Sequence, residues 1–289
     1  MPGRVTGVVA AGVALLLTPA LLTPALLAQT PGQQALLEEA GQLFTMGDRA
    51  GQGGDHTARI ANYRAALRLV DRAIAMEGPS AEMIVNGRRE MLLSLGEAQA
   101  EARQHDDALA TYSGLAREIE GEARAIPSGR IERLHYARAL RGLVDAGVNS
   151  GNPLASREAL PRLIATGRAM HAVEPSNSYL TRRLAQDMQA EVIFRWVLED
   201  RPGSAAMARE TLALFRSLAL SNPNSVEALG SRFLWAYGAA ELTGDDIELW
   251  REAVEAGEEL AGRRRLKPEH VPFLRAARSR LDALERSGR

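Results

Sequence analysis

The sequence predicts an all-α protein, a right-handed α-solenoid of stacked helical hairpins closed by a terminal capping helix. The composition supports this class, because Ala, Leu, Arg and Glu are abundant and aromatic residues make up only 4% of the chain. A regular interval supports the repeats: prolines separated by 48 residues lie at Pro31, Pro79, Pro127, Pro175 and Pro223. Since proline is about one residue in twenty, this interval indicates a repeated structural unit.

The first 28 residues precede the repeats and are predicted to be a secretory signal peptide. A positive charge at Arg4 is followed by an apolar run from Val8 to Leu27, which two prolines interrupt. The early arginine and the small residue Ala28 favour cleavage after Ala28 over a retained membrane anchor. We therefore expect a periplasmic or secreted protein that has no membrane span after cleavage.

The repeated units are predicted at 31–78, 79–126, 127–174, 175–222 and 223–267. Each unit has a first helix, helix A, and a second helix, helix B. Apolar residues at helical spacing, such as Leu180, Leu184 and Met188, indicate helix A. Helix-breaking stretches such as Asn149 to Pro153 separate the two helices. The last segment, 268–286, is predicted to be a capping helix with a solvated outer face.

The joints between repeats carry candidate helix caps. The residue after the proline is one whose side chain can accept hydrogen bonds from the free N–H groups of a new helix. These residues are Ser80, Ser128, Ser176 and Asn224. Each proline is therefore predicted to mark the joint where helix A of a repeat begins.

Two phrases resemble bacterial tetratricopeptide-repeat (TPR) proteins of the long-unit kind. They are Pro175-Ser-Asn-Ser-Tyr-Leu-Thr-Arg-Arg-Leu-Ala and Asp245-Asp-Ile-Glu-Leu-Trp-Arg-Glu-Ala-Val-Glu-Ala. The resemblance covers nearly all of residues 31–286, although the standard repeat has about 34 residues and a Trp-Leu-Gly-Tyr pattern that these units lack. The resemblance implies that the chain binds extended peptides or organises complexes.

An arginine recurs near the middle of helix A in each repeat after the first, and again in the capping helix. These candidate partner-binding residues are Arg89, Arg138, Arg183, Arg232 and Arg278. In a TPR-like stack the A helices line a concave groove, where a row of guanidinium groups would hold the carboxylates of an acidic peptide. The alternative interpretation is that these arginines are solvated or pair with acidic side chains of neighbouring repeats.

Aromatic residues gather late in the chain, and most of them fall on apolar stripes. Trp235 lies off the line formed by Leu229, Phe233 and Tyr237. It is therefore the aromatic residue that we expect to be an exposed partner contact.

Other functional classes find little support in the sequence. The chain has no cysteine and a formal net charge of -1, which excludes thiolate metal sites and argues against a general nucleic-acid binder. The five histidines are scattered, and no metal-binding histidine pair, phosphate loop or nucleophilic serine motif occurs. The acidic pairs Asp106-Asp107 and Asp245-Asp246 fall where helix B begins, which is typical of helix capping.

We therefore expect no cofactor, no metal and no enzymatic activity. The predicted function is an exported TPR-like scaffold that binds a protein or peptide partner in a concave groove. Two alternatives stay open: a superhelical enzyme acting on the cell wall or on polysaccharide, and a structural, self-assembling subunit.

Overall fold

A computed structural model describes residues 30–76, 81–125 and 130–287. Within these ranges the chain forms eleven α-helices, one short 3-10 helix at Pro268–His270 and no strand. The α-helices are α1 (Pro31–Gln52), α2 (His56–Ile74), α3 (Ala81–Glu101), α4 (His105–Ala125), α5 (Arg130–Asn149), α6 (Pro153–Val173), α7 (Ser178–Val197), α8 (Arg201–Ser221), α9 (Val226–Thr243), α10 (Ile247–Gly262) and α11 (Val271–Ser287). Helices α1, α3, α5, α7 and α9 are the predicted A helices, and α11 is the predicted capping helix. The predicted signal peptide at 1–28 and the predicted caps Ser80 and Ser128 lie outside the described residues.

The chain divides into two compact units, and the division falls inside α6. The N-terminal unit ends at Ala159 and the C-terminal unit begins at Leu160. In the N-terminal unit α1 pairs with α2, and the hairpin of α3 and α4 packs between α2 and α5. In the C-terminal unit the hairpins α7/α8 and α9/α10 stack, and α11 packs on α10. The predicted all-α class of stacked hairpins with a terminal helix is confirmed.

The joints before α7 and α9 are proline turns followed by a helix cap. The N–H of Asn177 donates to the carbonyl of Glu174 at 3.0 Å, and the N–H of Ser225 donates to that of Asn222 at 2.9 Å. Proline therefore occupies the second position of each turn, where its fixed φ is favourable. The side chains of Asn177 and Ser225 accept from the N–H groups of the new helix. The predicted caps Ser176 and Asn224 are wrong by one residue, because the turn must be completed before the helix begins.

The turns from helix A to helix B repeat with the same geometry. Residues with positive φ occur at Gly54, Arg103, Gly151, Glu199 and Gly244. After the first four of these, the next N–H bonds to the carbonyl five residues back, as in Asp200 to Arg195 at 2.9 Å. This is the hydrogen bond that closes a helix ending in a left-handed residue. The first four predicted breaker stretches therefore form one recurring turn.

Buried contacts also recur at the repeat interval. Ser156 donates to the carbonyl of Val144 at 2.8 Å, and Ser204 donates to that of Val192 at 2.9 Å. Both hydroxyl groups are buried and stand 48 positions apart in the sequence. Each ties helix B to helix A within a hairpin, so the internal repeat extends to specific hydrogen bonds.

In the N-terminal unit, tyrosines of helix B pack against glycines of helix A. Tyr63 meets Gly47 and Tyr112 meets Gly96, and in both pairs a Cβ on the glycine would lie 2.6 Å from the ring. Tyr112 also packs on Gly142 of α5. These glycines let each ring pass close to the backbone of helix A. As a result the hydroxyl of Tyr63 reaches Asp48 of helix A.

Candidate interaction surface

Two of the candidate arginines point toward helix B of their own repeat. Arg89 is only 3% exposed, and its guanidinium donates to both carboxylate oxygens of Glu122 at 2.9 Å. Arg232 donates to the buried Glu252 at 2.5 Å, from α9 to α10. Both arginines therefore form contacts inside a hairpin and do not face a groove.

The other three candidate arginines have three different surroundings. Arg138 bonds to Glu90 of the preceding A helix at 2.6 Å, and Arg278 pairs at the surface with Glu258 at 3.0 Å. Arg183 lies over the ring of Tyr179 and donates to Gln186 at 3.1 Å. Within the described part of the chain, Arg183 has no carboxylate partner.

The expected row of arginines on one face is therefore wrong. The five residues stand at offsets of 10, 11, 8, 9 and 10 from the preceding proline. Each residue turns the helix by about 100°, so offsets that differ by one or two residues point in very different directions. Pairing with acidic side chains of a neighbouring repeat, part of the alternative interpretation, applies to Arg138 and Arg278, whereas Arg89 and Arg232 pair within their own repeat. A role for any of them in partner binding stays a prediction.

Trp235 is buried, and the expectation that it is exposed is also wrong. Its side chain is 7% exposed and its ring lies 6.4 Å from that of Phe215. Helix α9 is apolar on most of its circumference, so the line of Leu229, Phe233 and Tyr237 does not mark its only buried side. Any contact between Trp235 and a partner would need this packing to open.

A stripe of carboxylates runs along one side of α3 in the N-terminal unit. Glu90, Glu97 and Glu101 are spaced seven and four residues apart, which places them on the same side of the helix. Asp145 on the neighbouring helix α5 is exposed, and its charge acts on the same region as those of Glu97 and Glu101. We call these four carboxylates the acidic face.

Glu90 and Glu97 have opposite electrostatic surroundings. Burial raises the pKa of Glu90, but hydrogen bonds and charge from His135 and Arg138 outweigh it and lower this pKa to about 2. Burial raises the pKa of Glu97, and the charges of Arg138, which lies 3.8 Å away, and of Arg59 offset only part of this effect. Glu90 is therefore a neutralised structural carboxylate, whereas Glu97 retains a poorly compensated negative charge.

The buried phenol of Tyr112 lies next to the acidic face. Its ring lies between Gly96 and Gly142, which belong to α3 and α5. Burial, followed by the charges of Glu97 and Asp145, raises the pKa of Tyr112. The hydroxyl is therefore a neutral donor and acceptor directed at the acidic face.

The C-terminal unit exposes apolar side chains on two of its A helices. Ile193 and Val197 are exposed one turn apart on α7, and Leu234 is exposed on α9. An ion pair between Arg182 and Glu227 joins the two helices near their N-terminal ends. Ile193, Val197 and Leu234 are together called the apolar face.

Other kinds of site are not seen in the described ranges. No group of three or more His, Asp or Glu side chains there could hold a metal ion. None of the helices described is both long enough and apolar enough to cross a membrane.

No protein family and no curated protein matches this sequence. Two similar solved structures are of Nro1, described as a hypoxic regulator of sterol synthesis and as an S. pombe nuclear import adaptor. Both are 12% identical over 84% of this chain, and 93% and 99% of the Nro1 chains are covered, with TM-scores of 0.45 and 0.41. At these values the likeness says nothing about the partners or the activity of this chain.

Proposed function

We propose that the protein is an exported, TPR-like interaction scaffold that presents the sides of its A helices to a protein partner. The observation that carries this proposal is the apolar face, where Ile193, Val197 and Leu234 are exposed on two A helices of the C-terminal unit. Large apolar side chains exposed on the helices of a rigid repeat protein are typical of protein-binding sites. The occupant is a partner segment that contributes apolar side chains of its own.

The TPR-like assignment is supported by hairpins that stack and by structural details that recur from repeat to repeat. The left-handed turn residues and the buried serines return at or close to the 48-residue interval of the prolines. Such stacks hold each A helix between neighbours, which fixes its exposed side in place. Export is supported by the early Arg4, the apolar run and Ala28 in the sequence.

The acidic face offers one observation in favour of the rival polysaccharide-acting enzyme. Two carboxyl groups whose pKa values are shifted in opposite directions, here Glu90 and Glu97, are the arrangement that glycoside hydrolases use. Both oxygens of Glu90 are, however, engaged by Arg138 and His135. These bonds hold α5 against α3, so a structural role explains Glu90 better than a catalytic one.

The proposal is tested by affinity capture with residues 29–289 from an envelope extract of the source organism. Captured proteins are identified by mass spectrometry and compared between the wild type and the double variant Ile193→Ser, Val197→Ser. The matched control is Leu220→Ser, because Leu220 is an exposed apolar residue on helix B.

A partner that the double variant loses and the control retains would support the scaffold. If the wild type captures no partner, or if the double variant and the control lose the partner equally, the proposal is contradicted. Recovery of the chain itself as the bound protein would favour the self-assembling subunit, which size-exclusion chromatography would then confirm.

A further inference from the structure

Repeats 1 and 2 carry the same tyrosine–carboxylate pair at equivalent positions. In repeat 1 the hydroxyl of Tyr63 donates to Asp48. The equivalent residues in repeat 2, 49 positions later, are Tyr112 and Glu97. The starts of helix B at His56 and His105 follow the same offset. The two sites therefore occupy the same place in successive hairpins.

The repeat 1 site contains a guanidinium group. Arg59 donates from Nε to the hydroxyl of Tyr63 at 3.2 Å, and its Nη1 bonds to Glu101 at 2.5 Å. Its guanidinium carbon lies 5.5 Å from the centre of the Tyr63 ring. The phenol, the carboxylates and the guanidinium thus satisfy one another.

The repeat 2 site has no arginine at the equivalent position. The residue 49 positions after Arg59 is Ala108, which has no donor in its side chain. Tyr112 is only 5% exposed, yet its hydroxyl forms no hydrogen bond within the residues that the structure describes. The hydroxyl oxygen is not fully enclosed by the surrounding protein, so a donor that binds from outside can reach it.

The carboxylate of this site is partly exposed to solvent. Glu97 is 38% exposed and receives no hydrogen bond from the described residues. Arg138, its nearest cation, stays bonded to Glu90 at 2.6 Å and lies 3.8 Å from Glu97. Glu101 lies nearby but is paired with Arg59, so the incompletely compensated charge of this site is that of Glu97. The site therefore attracts a cation that can donate hydrogen bonds.

We propose that Glu97 and Tyr112 bind the guanidinium group of an arginine side chain supplied by a protein partner. The guanidinium donates to the carboxylate of Glu97 and to the hydroxyl of Tyr112, as Arg59 does within repeat 1. This inference rests on the proposed function, since it names a side chain by which the partner is held.

The test is a fluorescence anisotropy titration of the full chain with a short, dye-labelled glycine–serine peptide that contains one arginine. A second peptide carries citrulline in its place, which has the same shape and no charge. We expect saturable binding of the arginine peptide and at least tenfold weaker binding of the citrulline peptide, because the charged hydrogen bonds are lost.

Three variants separate this site from general charge attraction. Glu97→Gln should weaken binding of the arginine peptide about tenfold, and Tyr112→Phe about threefold, from the loss of a charged and a neutral hydrogen bond. The control Glu158→Gln removes an exposed carboxylate of the same unit on helix B and should leave binding unchanged. Circular dichroism should show that all three variants keep their helices.

Several results would overturn the inference. They are no saturable binding to the wild type, equal binding of the citrulline peptide, and equal weakening by Glu158→Gln. The capture experiment separates the two proposals. If a partner is captured through the apolar face and Glu97→Gln binds the arginine peptide normally, only the guanidinium site fails. If the peptide binds as expected and no partner is captured, only the scaffold fails.

Discussion

Arg138 bonds to Glu90, a residue one repeat length before it in the sequence, at 2.6 Å. Similar ion pairs connect successive repeats elsewhere: Arg59 with Glu101 in the N-terminal unit, and Arg168 with Glu210 at 2.7 Å in the C-terminal unit. The abundant arginines therefore join neighbouring hairpins. A partner-binding surface is therefore expected among the side chains that these ion pairs leave exposed.

Glu90→Gln should destabilise the fold at neutral pH and have less effect in acid. The folded-state pKa of Glu90, about 2, lies below its ordinary value of 4.5. Its stabilising contribution is therefore fully present above pH 4.5 and is lost as the pH falls toward 2. Urea unfolding followed by circular dichroism should give a free-energy difference of ~1–3 kcal/mol between variant and wild type at pH 7. A difference that stays constant across this pH range would contradict the assignment.

Glu97→Gln should have the opposite effect at neutral pH. Burial raises the folded-state pKa of Glu97, so folding favours its protonated form and the charged form opposes folding. Removing the charge should raise the melting temperature at pH 7, and the gain should shrink as the pH falls through the folded-state pKa. A lower melting temperature at pH 7 would show that Glu97 is a structural carboxylate.

Glu252→Gln should lower the free energy of unfolding by about 3 kcal/mol, since it breaks a buried ion network. Glu252 is buried and accepts from Arg216 at 2.8 Å and from Arg232 at 2.5 Å, which connects α8, α9 and α10. The matched control is Glu210→Gln, which removes an exposed ion pair and should cost less than about 1 kcal/mol. Equal losses in the two variants, measured by urea unfolding, would contradict the importance of burial.

Glu199→Gly should raise the free energy of unfolding by about 1 kcal/mol. Glu199 ends α7 with a φ of 63°, a conformation that glycine adopts without steric cost. The equivalent turn one repeat earlier already has glycine, Gly151, with a φ of 73°. Gly151→Ala should accordingly lower stability by a similar amount. If thermal unfolding shows both changes with the same sign, the turn geometry is not the cause.

The sequence predicts the helices well and the side-chain directions poorly. Proline spacing and apolar periodicity place the hairpins, because both report backbone properties that act over a few residues. The prediction of an arginine row is wrong because the offset from the preceding proline varies from 8 to 11 residues, which changes the direction of the side chain around the helix. The prediction that Trp235 is exposed is wrong because α9 is buried on more than one side.

The acidic face was missed although its signal is present in the sequence. Gly47 and Tyr63 are followed after 49 residues by Gly96 and Tyr112. A search for recurring glycine–tyrosine pairs would have found the site. The hydroxyl of Tyr112 has no hydrogen bond to the residues that the structure describes. This depends on how three helices pack, which a local sequence pattern does not predict.

The measurement that most directly tests this account is the melting temperature of the variant with Arg138, Arg183 and Arg232 all changed to Ala. Because Arg138 and Arg232 hold helices together through Glu90 and Glu252, losing these arginines should lower the melting temperature by several degrees. An unchanged melting temperature would contradict it and would return these arginines to the partner-binding surface.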